Sequence, residues 1–215
     1  MFDGHYDGWM DSRMAGIKKY VDLNTFKNKT LLELGCGHGH IGNRFYELGA
    51  IVTSSDARIE HIENAKARYP HLQTLLFDGD KDEIQNKYDI ILHWGVLYHL
   101  KEIDQHLARI SKKCDILLLE TEVSDSTDDK FYICTNENGY DQAFNSAGIR
   151  PSQPYVERVL KDNGFNFKVI YDNILNSYFH TYDWKEMNTQ TWRCGQRRFW
   201  VCWKDVACPL ISSQA

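Results

Sequence analysis

The sequence is short of several things, and each shortage excludes something. Its six cysteines, Cys36, Cys114, Cys134, Cys194, Cys202 and Cys208, form no Cys-x-x-Cys pair. Several lie in apolar runs, which reads as reduced core or loop thiols of a cytoplasmic protein rather than a disulfide framework. No apolar run approaches the length of a membrane span. The first residues, MFDGHYDGWMDSR, are acidic and aromatic and lack the apolar centre of a targeting segment. No repeat or low-complexity tract is present. Basic charge is not in excess: 25 Lys and Arg against 30 Asp and Glu leave a net charge of -5. That argues against a surface built wholly for phosphate backbones. What remains is 215 residues with 42% hydrophobic content, enough for one packed domain over residues 1–215.

Along the chain, short apolar runs alternate with amphipathic ones. DSRMAGIKKYVDL predicts a helix before the first strand, TLLEL. HIGNRFYELG predicts a helix closed by Gly49, AIVTSSD a second strand, and RIEHIENAKARYP a helix ended by Pro70. LQTLLF, YDIILHW and DILLLET follow as strands, with a helix over EIDQHLARISKK between the last two. Ser152 reads as the N-cap of a helix in PYVERVLKDNGF, before strands in NFKVIYD and RRFWVCWK. Strands separated by helices predict an α/β fold, a mostly parallel sheet with helices on both faces. Residues 122–150 and 173–196 are long for simple connections and are expected to cover a substrate.

One turn carries most of the chemistry. In LLELGCGHGHIG, Gly35, Gly37 and Gly39 follow the first strand at alternate positions, with Glu33 before them. Such a turn lets backbone approach a ligand at a helix N-terminus. A nicotinamide-binding turn would read GxGxxG, but His40 holds the third-glycine position of that pattern. Asp56 ends the second strand about twenty residues on, where an acid can accept from both hydroxyls of a ribose. Asp78 and Asp80, in FDGD, follow the third strand.

Taken in order, LLELGCGHG, VTSSDAR, LLFDGD, YDIILHWGVLYHL and ILLLETEV resemble the class I S-adenosylmethionine-dependent methyltransferases. The resemblance implies a Rossmann-like, seven-stranded sheet whose last strand is antiparallel, with S-adenosyl-L-methionine as cofactor. It implies that Gly35, Cys36, Gly37 and Gly39 pass under the methionine part and that Glu33 helps hold its amino group. Asp56 would bind the ribose, with Ala57 and Arg58 beside the adenosine. Asp78 or Asp80, either side of Gly79, would meet the adenine. His93, Trp94 and Gly95 would line the edge nearest the sulfonium. The stretches WGVLYHL, LLLETEV and IRPSQPYVERVLKDNGF are also similar to the tRNA wobble-uridine carboxymethyltransferases, which use a carboxylated form of the cofactor. There a tyrosine matching Tyr98 and basic residues read the extra carboxylate. QRRFW, Gln196 to Trp200, is similar to an arginine-bearing segment of that family.

Methyl transfer needs an aligned acceptor, and a base only where the acceptor starts protonated. His99, Tyr98 and His93 lie on or just after the fourth strand and are the catalytic candidates. His99 ranks first because imidazole titrates near neutral pH. His38 and His40 flank Gly39 without an evident third and fourth ligand, so no metal is expected. The acidic stretch TEVSDSTDD reads as a solvated loop. Residues 1–25, with His5, Tyr6, Trp9 and Arg13, are expected to form a lid over the binding edge. A small-molecule acceptor is expected, and no membrane. RNA stays open, because residues 150–204 carry nine basic against five acidic side chains. Binding of the cofactor without turnover, as a partner protein, is the reading outside enzymes.

Overall fold

The computed structural model describes residues 4–139 and 142–211, with side chains from Tyr6 onward. The first half alternates as the sequence predicts: α1 (Gly4–Tyr20), β1 (Thr30–Leu34), α2 (His40–Glu47), β2 (Ile51–Asp56), α3 (Ile59–Arg68), β3 (Gln73–Leu76) and β4 (Tyr88–Trp94). Then come α4 (Ile103–Ser111), β5 (Cys114–Glu122), β6 (Tyr132–Asn136), β7 (Ala147–Pro151), α5 (Gln153–Asp162), β8 (Asn166–Ile170) and β9 (Arg197–Trp203).

Seven strands form one sheet in the order β3-β2-β1-β4-β5-β9-β8. β3, β2, β1, β4 and β5 pair in parallel. β9 runs antiparallel to both β5 and β8. The order reverses between β1 and β4, which opens a crevice beyond their carboxyl ends. β4 is buried on both faces, as an inner parallel strand must be. It sends Ile90, Leu92 and Trp94 into a core shared with Met10, Met14 and Ile17 of α1 and Phe45 of α2. It sends Ile91 into the opposite core, with Leu107 of α4 and Val156 and Leu160 of α5. Each fully buried Leu or Ile contributes roughly 1.5–3 kcal/mol to this two-sided packing.

Three expectations are corrected. α1 begins at Gly4 and carries Tyr6 and Trp9 within it, rather than starting at Asp11. Residues 122–150 are not a bare connection, because β6 and β7 pair there as an antiparallel ribbon separate from the main sheet. The acidic stretch is a solvated loop only from Thr127 to Asp129, which are exposed; its first part is folded inward. Ser124, Asp125 and Ser126 are buried, and Asp125 accepts from the backbone of Met187 and Asn188, each at 2.9 Å. An aspartate with several N–H donors within reach is satisfied inside the fold and folds its segment inward. Ser152 caps α5 as predicted, its Oγ accepting from the Tyr155 N–H at 3.1 Å. Among the described residues no helix is long and apolar enough to cross a membrane.

Candidate active site

A cavity of about 440 Å³ lies against the carboxyl ends of β1, β2 and β4 and the inner face of α1. The glycine turn forms its floor. Gly35 has φ +68°, and a Cβ there would overlap Val96, which turns out of β4. Only glycine fits where these two turns meet. Gly39, also at positive φ, is the N-cap of α2 and stands off the cavity.

Glu33 does not line the cavity, contrary to the role the resemblance implies for it. Its side chain is buried beneath the turn, accepting from the Gly42 N–H at 3.1 Å and the Ser54 hydroxyl at 2.6 Å. A Cβ at Gly42 would overlap both groups. Burial pushes the Glu33 carboxyl up to about 7, against those two hydrogen bonds. Glu33 is a strut that fixes α2 to the sheet.

Asp56 does face the cavity. Its Oδ2 accepts from Gly37 N–H and its Oδ1 from Arg58 N–H, both at 3.0 Å, and His61 Nδ1 lies 3.2 Å from Oδ1. Burial would raise its pKa, but His61 and the two N–H groups outweigh burial and hold the carboxyl below its ordinary value. Cys36 and Ala57 line the same wall. Burial pushes the Cys36 thiol up, so it stays protonated and inert.

Asp78, Gly79 and Asp80 form the far wall with Phe144 and Asn145 of the β6–β7 connection. Asp80 is tied into the fold: Oδ1 accepts from Lys101 N–H and Oδ2 from the Asn145 amide, both at 3.0 Å. Asp78 Oδ1 accepts from Asp80 N–H at 3.0 Å, and Oδ2 meets the exposed Lys81 ammonium at 2.8 Å. Arg58 donates to the Gln142 carbonyl at 2.8 Å, tying the connection down over this end. The segment 122–150 therefore reaches the wall beside Asp56 and Asp80.

His93 is fully buried and off the cavity, so its candidacy as catalyst and cofactor contact is corrected. The Gly79 carbonyl can only accept, so His106 Nδ1–H donates to it at 2.9 Å. His106 Nε2 is then a lone pair, and His93 Nε2–H donates to it at 2.9 Å. Burial drives His93 well below the ordinary histidine value and lowers His106 to about 4. Both are neutral structural rings.

His99 and Tyr98 sit on the turn after β4, and both line the cavity. His99 Nδ1 is hydrogen-bonded to Glu137, from the end of β6. Burial would raise Glu137, but His99 and Arg150 hold it down at about 2. Glu137 is therefore a carboxylate, His99 Nδ1 carries the hydrogen, and Nε2 is the bare nitrogen. Burial lowers the His99 pKa more than Glu137 raises it, so the ring is neutral at neutral pH. The Tyr98 hydroxyl accepts from Arg197 Nη2 at 3.0 Å, and burial raises its pKa.

α1 closes the cavity with Tyr6, Trp9, Met10 and Arg13. The His5 side chain lies outside the described residues. Trp9 stacks on His180 at 4.1 Å, and its Nε1–H donates to the Tyr182 hydroxyl at 2.7 Å. His180 and Tyr182 come from residues 173–196, no residue of which lines the cavity. That segment braces α1 from behind and is not the cover expected of it. Arg13 is buried against the Trp9 ring at 3.8 Å and touches Glu120 at 3.5 Å; among the described residues its Nε has no partner. Glu120 is already taken by Arg197 at 2.8 Å and Tyr182 at 3.1 Å.

The sequence gives no sign of Glu137 and Phe144, which sit in a segment with no motif of its own, and assigns no role to Arg150, although it lies inside IRPSQPYVERVLKDNGF. Arg197 was visible in QRRFW, but only the register of β9 against β5 brings it to Tyr98. His38 and His40 have ring centroids 6.4 Å apart, and His40 Nδ1 meets the Tyr69 hydroxyl at 2.9 Å.

The comparisons with known proteins bear on the fold and the family. Ubiquinone biosynthesis O-methyltransferase of Bartonella quintana (strain Toulouse) is 31% identical over 98 residues, covering 43% of this chain and 39% of that protein. The chain spans between 34% and 42% of the length of the curated relatives it matches. Among solved structures, the N-terminal domain of EvdMO1, in the presence of SAH and D-fucose, has a TM-score of 0.69. It is 15% identical, covering 92% of this chain and 82% of that one. Magnesium protoporphyrin IX methyltransferase (ChlM) of Synechocystis PCC 6803, with bound SAM, has a TM-score of 0.62. It is 16% identical, covering 94% of this chain and 80% of that one. These two share the fold. The family described as Methyltransferase domain matches residues 6–171, from within α1 to just past β8, and the chain belongs to that family.

Proposed function

We propose that the protein is an S-adenosylmethionine-dependent methyltransferase that acts on a small, ionisable acceptor, in the cytoplasm. The observation that carries this reading is one cavity with Asp56 and the glycine turn on its walls and the His99–Glu137 pair beside them. Its size suits a nucleoside with an amino-acid arm. When bound, S-adenosylmethionine supplies an electrophilic methyl group on a sulfonium.

The residues fit that cofactor. Asp56 would take the ribose hydroxyls, with the Gly35–Gly37 backbone, Ala57 and Arg58 around it. Asp78 would meet the adenine amino group, because its Oδ2 partner is the exposed Lys81 ammonium, which can turn to solvent, whereas Asp80 holds the Lys101 N–H and the Asn145 amide inside the fold. Arg13 would receive the amino-acid carboxylate, since Glu120 leaves it under-matched. Trp94 and Gly95 would lie near the sulfonium, and α1 would exclude water. His99 Nε2 would accept the acceptor's proton while Glu137 holds Nδ1–H and stabilises the imidazolium. The acceptor class follows the same logic: a base with a lowered pKa suits a phenol-like hydroxyl. The ubiquinone relative is named an O-methyltransferase, which supports that class.

One observation favours a second reading, a carboxylated donor: Arg197 reaches the Tyr98 hydroxyl. It is the weaker reading. Arg197 already meets Glu120 and Glu122, and Arg150 meets Glu122 and Glu137, so an added carboxylate would compete with buried partners. Calorimetric titration of S-adenosylhomocysteine into the protein tests the main reading, which fails if no binding is seen.

A further inference from the structure

Arg150 lies on β7 and is 4% exposed. A guanidinium buried that deeply is held for a reason its contacts reveal. Its Nε donates to Glu122 at 2.5 Å, and its Nη2 meets Glu137 Oε1, also at 2.5 Å. Its Nη1 donates to the Tyr98 carbonyl and the Thr135 hydroxyl, each at 3.1 Å. The rings of Tyr98 and Trp192 both lie 4.6 Å from it. One planar fork thus grips both things that orient His99: the peptide that enters it, through the Tyr98 carbonyl, and the carboxylate on its Nδ1.

The geometry points to Arg150 as the positioning residue of the base. It holds Glu137 Oε1, while Oε2 takes the Ala143 N–H at 3.1 Å and the Nδ1–H of His99, so that His99 keeps one tautomer with Nε2 bare, and the Arg150 charge opposes a proton on that ring. The groups that face His99 are Glu137 at the end of β6, Arg150 on β7, Arg197 on β9 and Tyr98 on its own turn. Of these, Arg150 alone both bonds Glu137 and holds the turn. A lysine could supply the charge but not the fork, because an ammonium cannot meet four acceptors in one plane. The inference rests on His99 as the base, but its test needs neither cofactor nor acceptor.

The test is an NMR titration of the His99 ring in the full chain, with nitrogen shifts reporting the tautomer. In wild type, one tautomer with hydrogen on Nδ1 is expected. In Arg150→Met, the ionisation is expected to rise by about one pH unit, the usual effect of removing a nearby like charge, with the two tautomers mixed. Arg150→Lys should hold the ionisation near the wild-type value yet still mix the tautomers. It also leaves Glu122 paired, should Arg150→Met not fold. Arg158→Met, at a half-buried arginine of α5 that meets Asp104 and Asp162 rather than His99 or Glu137, should change neither. A folded Arg150→Lys protein with the wild-type tautomer, or a folded Arg150→Met protein with the wild-type ionisation, would make Arg150 a structural residue and overturn the inference. Loss of thermal stability alone would overturn it too, since a purely structural role predicts only that. The His99 reading fails separately, if His99→Ala transfers methyl groups at the wild-type rate.

Discussion

Glu137 accepts a hydrogen bond from Nδ1 of His99, across 38 residues of sequence and from a ribbon that is not part of the main sheet. This pairing makes the ring at the cavity wall a neutral base with a defined bare nitrogen. His99→Ala should cut the chemical rate by roughly 10²–10⁴-fold with cofactor affinity nearly unchanged. Glu137→Gln should cost less, because the ring remains but its imidazolium loses a buried counter-charge. The wild-type rate should rise with pH through an ionisation below the ordinary histidine value, since burial lowers it. Transfer of labelled methyl to a phenolic acceptor, followed from pH 4 to 9, reads all three. A rate flat with pH and indifferent to His99 would leave positioning alone as the source of acceleration.

Much of this was legible early, for physical reasons. Parallel inner strands must be apolar throughout, so β4 and β5 announce themselves, and a turn that approaches a ligand must be glycine-rich. Asp56 follows from the length of one β-α-β unit. The resemblance gives Glu33 a ligand contact, but its carboxylate lies beneath the turn, where the Gly42 N–H and the Ser54 hydroxyl make it a strut, and the overlap a Cβ at Gly42 would make separates the two roles. Glu137 belongs to no motif, and Arg150, though inside IRPSQPYVERVLKDNGF, has no role that the sequence assigns. Their meaning comes from a ribbon folding back onto the turn after β4, and no local periodicity encodes such a long-range contact. The acidic stretch around Asp125 misled for the converse reason: charge predicts solvation unless backbone donors from elsewhere arrive to satisfy it.

Glu33 also predicts how stability depends on pH. Its folded value of about 7 lies above the ordinary 4.5, so between these values the folded state binds more protons than the unfolded one. Stability contributed at this site is therefore present at low pH and lost as pH rises from about 4.5 to 7, by up to about 3 kcal/mol. Asp56 and Glu137, both held low, act in the opposite sense and below that window. Urea unfolding at pH 5 and pH 8 should show a smaller difference for Glu33→Gln than for wild type. Equal differences would mean that Glu33 ionises freely in the fold.

Arg13 should discriminate between ligands that differ only in the amino-acid arm. Arg13→Met should weaken S-adenosylhomocysteine about 10-fold or more, the worth of a charge-assisted hydrogen bond. It should leave methylthioadenosine, which lacks the carboxylate, unchanged. Parallel losses for both ligands would assign Arg13 to the packing of α1 instead.

Tyr98 separates the two donors. Tyr98→Phe removes the hydroxyl that Arg197 meets. Wild-type selectivity for S-adenosylmethionine over its carboxylated form should persist in the variant. Competitive binding of the two donors checks this, and a selective loss of the carboxylated donor would revive the carboxymethyl reading.

The central claim is that this cavity holds S-adenosylmethionine with Asp56 on its ribose, and isothermal titration of the wild type and Asp56→Ala tests it most directly. Wild type should bind with micromolar affinity, about 8 kcal/mol. Asp56→Ala should lose about 1–3 kcal/mol through unpaired ribose hydroxyls. NAD should give no heat in either protein. Equal affinity in the two proteins, or NAD binding without S-adenosylmethionine binding, would contradict the account.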